Sequence, residues 1–285
     1  MSIRVMIVDD SLFSRAVLAD SLQQEGYEVV GEADSLETLF ATYDQCNPDI
    51  ITMDIAMPGA DGFECSRALL RHDPKAKIIM VSSMKDEDSE AEARRVGIAG
   101  YLQKPVDGEM LTKMIAEVLA PDTLFAGLQG WCIDSFQEAL SATITRMTQA
   151  AATFAAAEWA DINISRGITV VVGIIGRYPG SMIVDFSYQS AEKMAEVILR
   201  RKARGPEEVL AMGAEFANII GGIACSLLNK REKALSLRVS PPSVFVGAQT
   251  EIVSPSVDLK GLYADSTFGR IYLGVGFKKG TVLWM

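Results

Sequence analysis

The sequence predicts two domains of different fold class, an α/β domain followed by an α+β domain. In residues 1–120, short apolar runs alternate with segments of helical periodicity, whereas from residue 132 onward a helix followed by two strands occurs twice. The net charge also differs between the two halves of the chain. Residues 1–120 carry 11 basic and 22 acidic side chains, a net charge of −11, and the remaining 16 basic and 15 acidic side chains leave residues 121–285 at +1.

The first half reads as five strands connected by helices. The apolar runs are IRVMIVDD, YEVVGEA, DIITMDI, AKIIMVSS and AGYLQKP. Helical spacing follows the runs, in SLFSRAVLADSLQQEG, SLETLFATYDQ, GFECSRALLRHD, DSEAEARRVG and residues 107 to about 119. This alternation predicts βαβ units, and therefore a five-stranded parallel sheet of flavodoxin-like type with helices on both faces.

The second half reads as two long helices on one antiparallel sheet. A helical stretch from Ile133 leads to the strands GITVVVGII and SMIVDFSYQ, which meet at the turn sequence GRYPG. A helix capped by Ser190 follows, and a second long helix spans residues 206 to about 229. Strand character returns in SLRVSPPSVFVG and YADSTFGRIYLGVGFKK, so the half predicts an internal pseudo-repeat.

The segment APDTLFAGLQGW predicts the domain boundary because it contains Pro121, Gly127 and Gly130. We therefore expect one domain over residues 1–120, a linker over residues 121–131 and a second domain over residues 132–285. The linker is too apolar to act as a free flexible tether.

Composition argues against several classes of protein. The one basic cluster, RRKAR at residues 200–204, is too short for a DNA-binding face and suits a helix C-terminus. No apolar run approaches the roughly 20 residues of a bilayer span, and the N-terminus lacks the features of a signal peptide. Four cysteines without CxxC spacing and a single histidine make disulfides and zinc sites unfavourable. We expect a cytoplasmic protein that neither binds DNA nor inserts into membranes.

Polar residues stand where the apolar runs of the first half end. They are Asp9, Asp10, Asp54, Ser82 and Lys104. Because the carboxyl ends of parallel strands form the site in such sheets, these side chains are expected to converge. Three converging acids need a cation, and an all-oxygen site suits Mg²⁺; a carboxylate beside it can act as a nucleophile toward phosphorus. Each residue alone could equally be a solvated strand-end residue.

The motifs VDDS (8–11), MDIAMPGADG (53–62), MVSS (80–83) and GYLQKP (100–105) resemble those of response-regulator receiver domains of the CheY type. The resemblance implies that Asp54 accepts a phosphoryl group from a sensor histidine kinase. It assigns Mg²⁺ to Asp9, Asp10, Asp54 and the main-chain carbonyl of Ala56. It makes Ser82 and Lys104 partners of the phosphoryl group, and Tyr101 the aromatic residue that changes rotamer on activation.

The second long helix carries an unusual polar pair. Glu215 and Asn218 are three residues apart and therefore share a helix face, within the run AEFANIIGG. Gly221 and Gly222 follow, although glycine is unfavourable inside a helix. The pair could be an ordinary surface pair, and the glycines could serve only tight packing.

AEFANIIGGIACSLLN, followed by RVSPPSVFVG, resembles the CheX/CheC/FliY family of chemotaxis phosphatases. The resemblance implies that Asn218 orients the water that attacks an aspartyl phosphate, while Glu215 engages the receiver's lysine. It also implies a homodimer and a CheY-like receiver as substrate. The chain departs from the family pattern at Ala211, where the family has Ser or Asp, and its first long helix lacks Glu-x-x-Asn, which predicts one site per chain.

Two functions therefore remain open. The first is a response regulator, phosphorylated on Asp54, whose output domain hydrolyses the aspartyl phosphate of receiver domains. The second is a non-catalytic output domain, whose dimerisation or partner binding is controlled by phosphorylation.

Overall fold

The fold is given by a computed structural model that describes residues 2–83, 87–157, 164–252 and 259–279. The chain forms two compact units, Met1–Pro121 and Asp122–Met285. The last residues of the expected second domain, 280–285, lie outside the described residues.

The first unit is a five-stranded parallel sheet flanked by helices, which confirms the α/β prediction. Its strands are β1 (Arg4–Val8), β2 (Glu28–Ala33), β3 (Ile50–Asp54), β4 (Ile78–Ser82) and β5 (Gly100–Gln103). The helices between them are α1 (Leu12–Gln24), α2 (Leu36–Cys46), α3 (Gly62–His72) and α4 (Glu87–Val96), and α5 (Gly108–Thr148) follows β5. The strands lie in the order β2-β1-β3-β4-β5, all parallel.

Helices cover both faces of this sheet, so its central strands are apolar on both sides. Every residue of β3 and β4 is buried. Along each strand, alternate side chains enter opposite core clusters: Met6, Ile51 and Met80 enter one, and Val5, Ile50 and Ile79 enter the other. The two-sided burial explains why these strands read as continuous apolar runs.

The second unit is an antiparallel sheet with helices on one face, which confirms the α+β prediction. Its strands are β6 (Ala152–Ala157), β7 (Gly167–Ile175), β8 (Gly180–Ser187), β9 (Arg238–Val239), β10 (Ser243–Val246), β11 (Lys260–Ser266) and β12 (Gly269–Phe277). Its helices are α6 (Tyr188–Leu199), α7 (Pro206–Arg231) and residues 122–148 of α5. The strand order is β10-β7-β8-β12-β11-β6, and the short β9 pairs with the end of β7.

This strand order contains the same three-stranded unit twice. One unit is β6–β7–β8 and the other is β10–β11–β12, and their third strands, β8 and β12, pair at the centre. The first strand of each unit pairs with the second strand of the other, because β6 lies beside β11 and β10 lies beside β7. The pseudo-repeat expected from the sequence is thus present in the sheet topology as an exchange of outer strands.

The core of the second unit lies between the sheet and its helices. It includes Phe136 of α5, Met194 of α6 and Phe216 of α7, together with alternate residues of the strands. The ring of Phe216 packs edge-on against that of Phe186, with 6.4 Å between centroids. One face of α7 is therefore fixed against the sheet.

A buried carboxylate, that of Asp185, lies on the face of the sheet opposite to the helices and holds two strands together there. Asp185 of β8 is fully buried and accepts hydrogen bonds from the Ser165 and Thr169 hydroxyls (2.8 and 2.7 Å) and from the Arg166 main-chain N–H (3.0 Å). Burial raises the pKa of Asp185, and these three donors offset only part of the increase. The network ties the start of β7 to β8.

Two local features differ from the sequence expectations, and one strand was not among the predicted elements. Residues 121–131, the expected linker, are helical and belong to α5, with Pro121 inside the helix. The strand that was not predicted is the edge strand β6, formed by the alanine-rich segment 152–157. Ser190 is not the cap of α6, and that prediction was wrong. The N-cap is Ser187, whose hydroxyl accepts a hydrogen bond from the Ser190 N–H at 3.0 Å.

One helix among the described residues, α7, is long and apolar enough to cross a membrane by length and composition alone. Half of its most apolar window is buried inside the second unit. The core helix of a soluble protein meets the same criterion, so the apolar character of α7 has a sufficient explanation in packing against the sheet.

Candidate functional site

The polar residues singled out in the first half lie at one edge of the parallel sheet. Asp54 is the last residue of β3 and Ser82 the last of β4, while Asp9 directly follows β1 and Lys104 directly follows β5. Asp9, Asp54 and Ser82 are all buried, and Asp10 is exposed. The parallel topology therefore brings together residues that are up to 95 positions apart in sequence.

Lys104 joins two of the acids. Its Nζ donates to Asp9 Oδ2 at 2.8 Å and to Asp54 Oδ1 at 2.6 Å. Burial alone would lower the pKa of Lys104, but the hydrogen bonds and negative charges of Asp54 and Asp9 outweigh it, so the pKa lies above its ordinary value. Lys104 is therefore charged at neutral pH, and it offsets part of the repulsion between the carboxylates.

The three acids have the geometry of a cation site. Asp9, Asp10 and Asp54 each offer a carboxylate oxygen within 4.8 Å of the others. These ligands are hard oxygen donors, and one of the three residues is open to solvent, which matches a small divalent ion that keeps part of its water shell. The donor set fits Mg²⁺ in both charge and ligand type.

The backbone around Asp54 is held by the beginning of α3. The N–H of Ala56 donates to Asp54 Oδ2 at 3.0 Å, and the N–H of Gly62 donates to the Ile55 carbonyl at 3.0 Å. A Cβ atom at Gly62 would lie 2.0 Å from the Asp54 carbonyl oxygen, so only glycine fits there. Asp61 caps the helix by accepting a hydrogen bond from the Glu64 N–H at 2.8 Å.

Ser82 and Tyr101 lie on the neighbouring strands. The Ser82 carbonyl accepts a hydrogen bond from the Lys104 N–H at 2.7 Å, which fixes the main chain of Lys104 beside β4. Tyr101 pairs with Met80 in the β4–β5 register and is half-buried. The peptide bond between Lys104 and Pro105 is cis.

Sequence reasoning missed Ser11 and Arg15, which hold the loop after β1. The Ser11 N–H donates to Asp9 Oδ1 at 2.9 Å, and Arg15 Nη1 donates to the Asp9 carbonyl at 2.7 Å. Arg15 also pairs with Glu32 at 3.0 Å. A signal was present, because Ser11 is a capping residue directly after the acids and Arg15 lies one turn further along the helix.

Glu215 and Asn218 lie on the face of α7 that points away from the core. Glu215 is exposed and Asn218 is half-buried, whereas Phe216, Ala217 and Ile220 between and after them are buried. Among the residues that the structure describes, neither polar side chain makes a hydrogen bond or an ion pair. Ala211 lies one turn earlier on this outer face and is exposed.

A second asparagine of α7 has a different environment. Asn229 donates to the Leu237 carbonyl and accepts from the Leu237 N–H, both at 2.8 Å. These two bonds hold the chain that follows the helix. The contrast makes Asn218 the asparagine of α7 that is available to another molecule.

Comparison with known proteins assigns a relative to each unit. A family model described as "Response regulator receiver domain" matches residues 5–116, and one described as "Chemotaxis phosphatase CheX" matches residues 168–261. The chemotaxis protein CheY of Thermotoga maritima is 36% identical over 118 residues, which are 41% of this chain and 98% of that protein. CheY of Bacillus subtilis is 34% identical over 119 residues, 42% of this chain and 99% of that protein. A solved CheX from Desulfovibrio desulfuricans is 19% identical, with a TM-score of 0.45, and the match covers 51% of this chain and 97% of that one.

Proposed function

The chain belongs to the response-regulator receiver family and carries a CheX-like output domain, and from this premise we propose that it is a phosphorylation-controlled phosphatase of receiver domains. Its substrate is the aspartyl phosphate of a CheY-like receiver in chemotaxis or a related signalling pathway. Its own receiver is phosphorylated on Asp54 by a sensor histidine kinase. The protein acts as a homodimer in the cytoplasm.

The phosphorylation step uses the residues at the sheet edge. An oxygen of the Asp54 carboxylate attacks the phosphorus of a phosphohistidine, the P–N bond breaks, and an acyl phosphate forms. Lys104 and the Ser82 hydroxyl then hold oxygens of the phosphoryl group, and Tyr101 changes rotamer. Asp9, Asp10, Asp54 and the Ala56 carbonyl would hold Mg²⁺, which when bound offsets the negative charge of the phosphoryl oxygens.

One observation carries the phosphatase proposal: Glu215 and Asn218 share the outer face of α7 without a partner among the described residues. An aspartyl phosphate in a receiver already has cations that stabilise its charge, so hydrolysis lacks only an oriented water. The Asn218 amide can both accept and donate hydrogen bonds, which suits it to hold that water in line. As the water oxygen bonds to phosphorus, the bond to the aspartyl oxygen breaks, which releases phosphate and the free carboxylate.

Glu215 has a docking role in this proposal. Its exposed carboxylate pairs with the lysine of the substrate receiver that corresponds to Lys104. A carboxylate three residues before Asn218 places that ion pair within one helical turn of the water. The ion pair of Glu215 with the receiver's lysine therefore positions the receiver relative to the Asn218 amide.

The alanine at position 211 is the observation that favours the second candidate function, a non-catalytic output domain. The position is exposed on the same face of α7, one turn before Glu215, and it carries no polar group. If the missing polar group abolishes turnover, the domain binds receivers without hydrolysing their phosphate. The output is then a phosphorylation-controlled dimerisation or partner-binding module.

The test follows loss of phosphate from CheY of Thermotoga maritima after loading with acetyl phosphate and removal of the donor. We expect the full chain to accelerate loss, and Asn218→Ala to reduce the acceleration about 100-fold because the water is no longer aligned. Glu192→Gln is the control, since Glu192 is an exposed acid of α6, outside the helix that carries Asn218. Equal decay with wild type, with Asn218→Ala and without the chain would contradict the proposal.

A further inference from the structure

Two adjacent glycines of α7 have different surroundings. A Cβ atom at Gly221 would lie 2.8 Å from Val239 Cγ1 and 3.5 Å from Met182 Cε, so close packing against the sheet accounts for that glycine. Among the residues that the structure describes, none would have an atom within 4 Å of a Cβ atom at Gly222. Packing between described residues therefore explains Gly221 but does not explain Gly222.

Gly222 is unfavourable for the helix that contains it. Glycine is the poorest helix former apart from proline, and α7 continues for nine residues beyond this position. Its φ is not in the left-handed region, so backbone conformation does not require a glycine there either. Neither packing within the described part of the chain nor backbone geometry selects glycine at position 222.

Gly222 belongs to the same outer face as the polar pair. It lies four residues after Asn218 and seven after Glu215, one and two helical turns along α7. The next residue on this face, Ser226, turns its hydroxyl back to the Gly222 carbonyl at 2.8 Å. Gly222 therefore leaves the α7 backbone uncovered by a side chain one turn after Asn218.

The short side chain of Asn218 is the reason why an uncovered helix backbone at Gly222 matters. Its amide lies only one carbon beyond Cβ, so Asn218 can hold a water against a phosphoryl group only if the receiver's main chain comes close to α7. A side chain at the next turn would keep the two backbones apart and leave the amide out of reach.

We propose that Gly222 is a positioning and specificity-determining residue of this site, at which the main chain of the phosphorylated receiver's active-site loop packs directly against α7. This inference rests on the proposed phosphatase function. It identifies the part of α7 that the receiver contacts besides Glu215 and Asn218, and it limits substrates to receivers whose loop can lie flat on the helix.

The experiment compares Gly222→Ala and Gly222→Leu with Gly130→Leu in the full chain. Gly130 is the control because, like Gly222, it lies within a helix, and no atom of the described residues would lie within 4 Å of an added Cβ at either position. Gly130 is exposed and Gly222 is half-buried. Phospho-CheY of Thermotoga maritima is the substrate, and both kcat and KM are measured. Thermal unfolding reports whether each variant folds, and the midpoint is expected to rise or stay unchanged in all three because each replaces a helical glycine.

We expect Gly222→Leu to raise KM at least about tenfold, which corresponds to about 1.4 kcal/mol of lost binding, and Gly222→Ala to have a smaller effect. Gly130→Leu should match the wild type. Wild-type KM and kcat in Gly222→Leu, with the fold intact, would overturn the inference and leave the phosphatase proposal standing.

The two proposals fail in different ways. Binding of phospho-CheY is measured separately in an Asn218→Ala background, where turnover is lost but the helix surface is kept. If that background binds phospho-CheY and Gly222→Leu abolishes the binding, the contact is supported even without catalysis. If the wild type neither binds nor hydrolyses phospho-CheY, the proposed function fails and the inference fails with it.

Discussion

Asn218 and Asn229 lie on one helix, yet only Asn229 is hydrogen-bonded to another part of the described chain. We expect Asn229→Ala to lower the free energy of unfolding by about 1–3 kcal/mol, because it leaves the N–H and carbonyl of Leu237 without their partner. Asn218→Ala should change stability by less than about 0.5 kcal/mol, since no such bond is lost. Urea denaturation measures both. A large loss of stability in Asn218→Ala would show a structural role for that residue.

Asp185 predicts a pH dependence of stability. Because burial raises its pKa in the folded state above the ordinary value of 3.8, the folded chain binds this proton more tightly than the unfolded chain. The contribution of Asp185 to stability therefore increases as pH falls from neutral toward 3.8, by about 1.4 kcal/mol for each unit of pKa difference. Unfolding of wild type and Asp185→Asn at pH 7 and pH 4.5 measures this, and a pH-independent difference between them would contradict it.

The surroundings of some residues can be predicted from the sequence, whereas those of others cannot. Asp9, Asp54 and Lys104 stand at the ends of strands whose apolar runs are clear, so their convergence follows from parallel topology. Asp185 occupies an alternate position in SMIVDFS, which is the pattern of a strand with one face in water. Its burial depends on Ser165 and Thr169, which come from another strand and its preceding loop, so local periodicity does not contain that information.

Among the elements, the beginning of α3 constrains the end of strand β3, which carries Asp54. Gly62→Ala would place a Cβ atom 2.0 Å from the Asp54 carbonyl oxygen, and neither backbone can move without shifting Asp54. We expect this variant to lose about 1–3 kcal/mol of stability and to accept phosphate from acetyl phosphate more slowly. Gly59→Ala is not a clean control because Gly59 has a φ of 89°. Lys75→Ala is the better control, since its side chain is exposed and it precedes β4, at the opposite end of that strand from Ser82.

The elements that sequence predicts least well are those whose composition suits two structures. The segment APDTLFAGLQGW contains a proline and two glycines, yet it is part of α5, where Leu128 and Cys132 enter the core of the second unit. ATFAAA favours a helix by propensity, but pairing with β11 makes it the edge strand β6. Helix α7, by contrast, has a proline at its first position and a continuous apolar face, and its bounds agree with the prediction to within two residues.

In the whole molecule, we expect the activity of the output domain to depend on phosphorylation of Asp54. Phosphorylation adds up to about two negative charges beside Lys104, and Lys104 now pairs with Asp54 and Asp9. We expect acetyl phosphate treatment of the wild-type chain to change its rate of phospho-CheY hydrolysis, and treatment of Asp54→Asn to leave that rate unchanged. Asp20→Asn, an exposed acid of α1, is the control that should respond like the wild type. The same response in Asp54→Asn and wild type would remove the switch.

Turnover of receiver aspartyl phosphate by this chain can be followed as phosphate release from phospho-CheY with the full chain at substoichiometric concentration. We expect release of more phosphate than there are chains present, at a rate that rises with chain concentration and depends on Asn218. Binding of phospho-CheY with a release rate equal to spontaneous decay, at every chain concentration, would contradict it and establish a non-catalytic output domain.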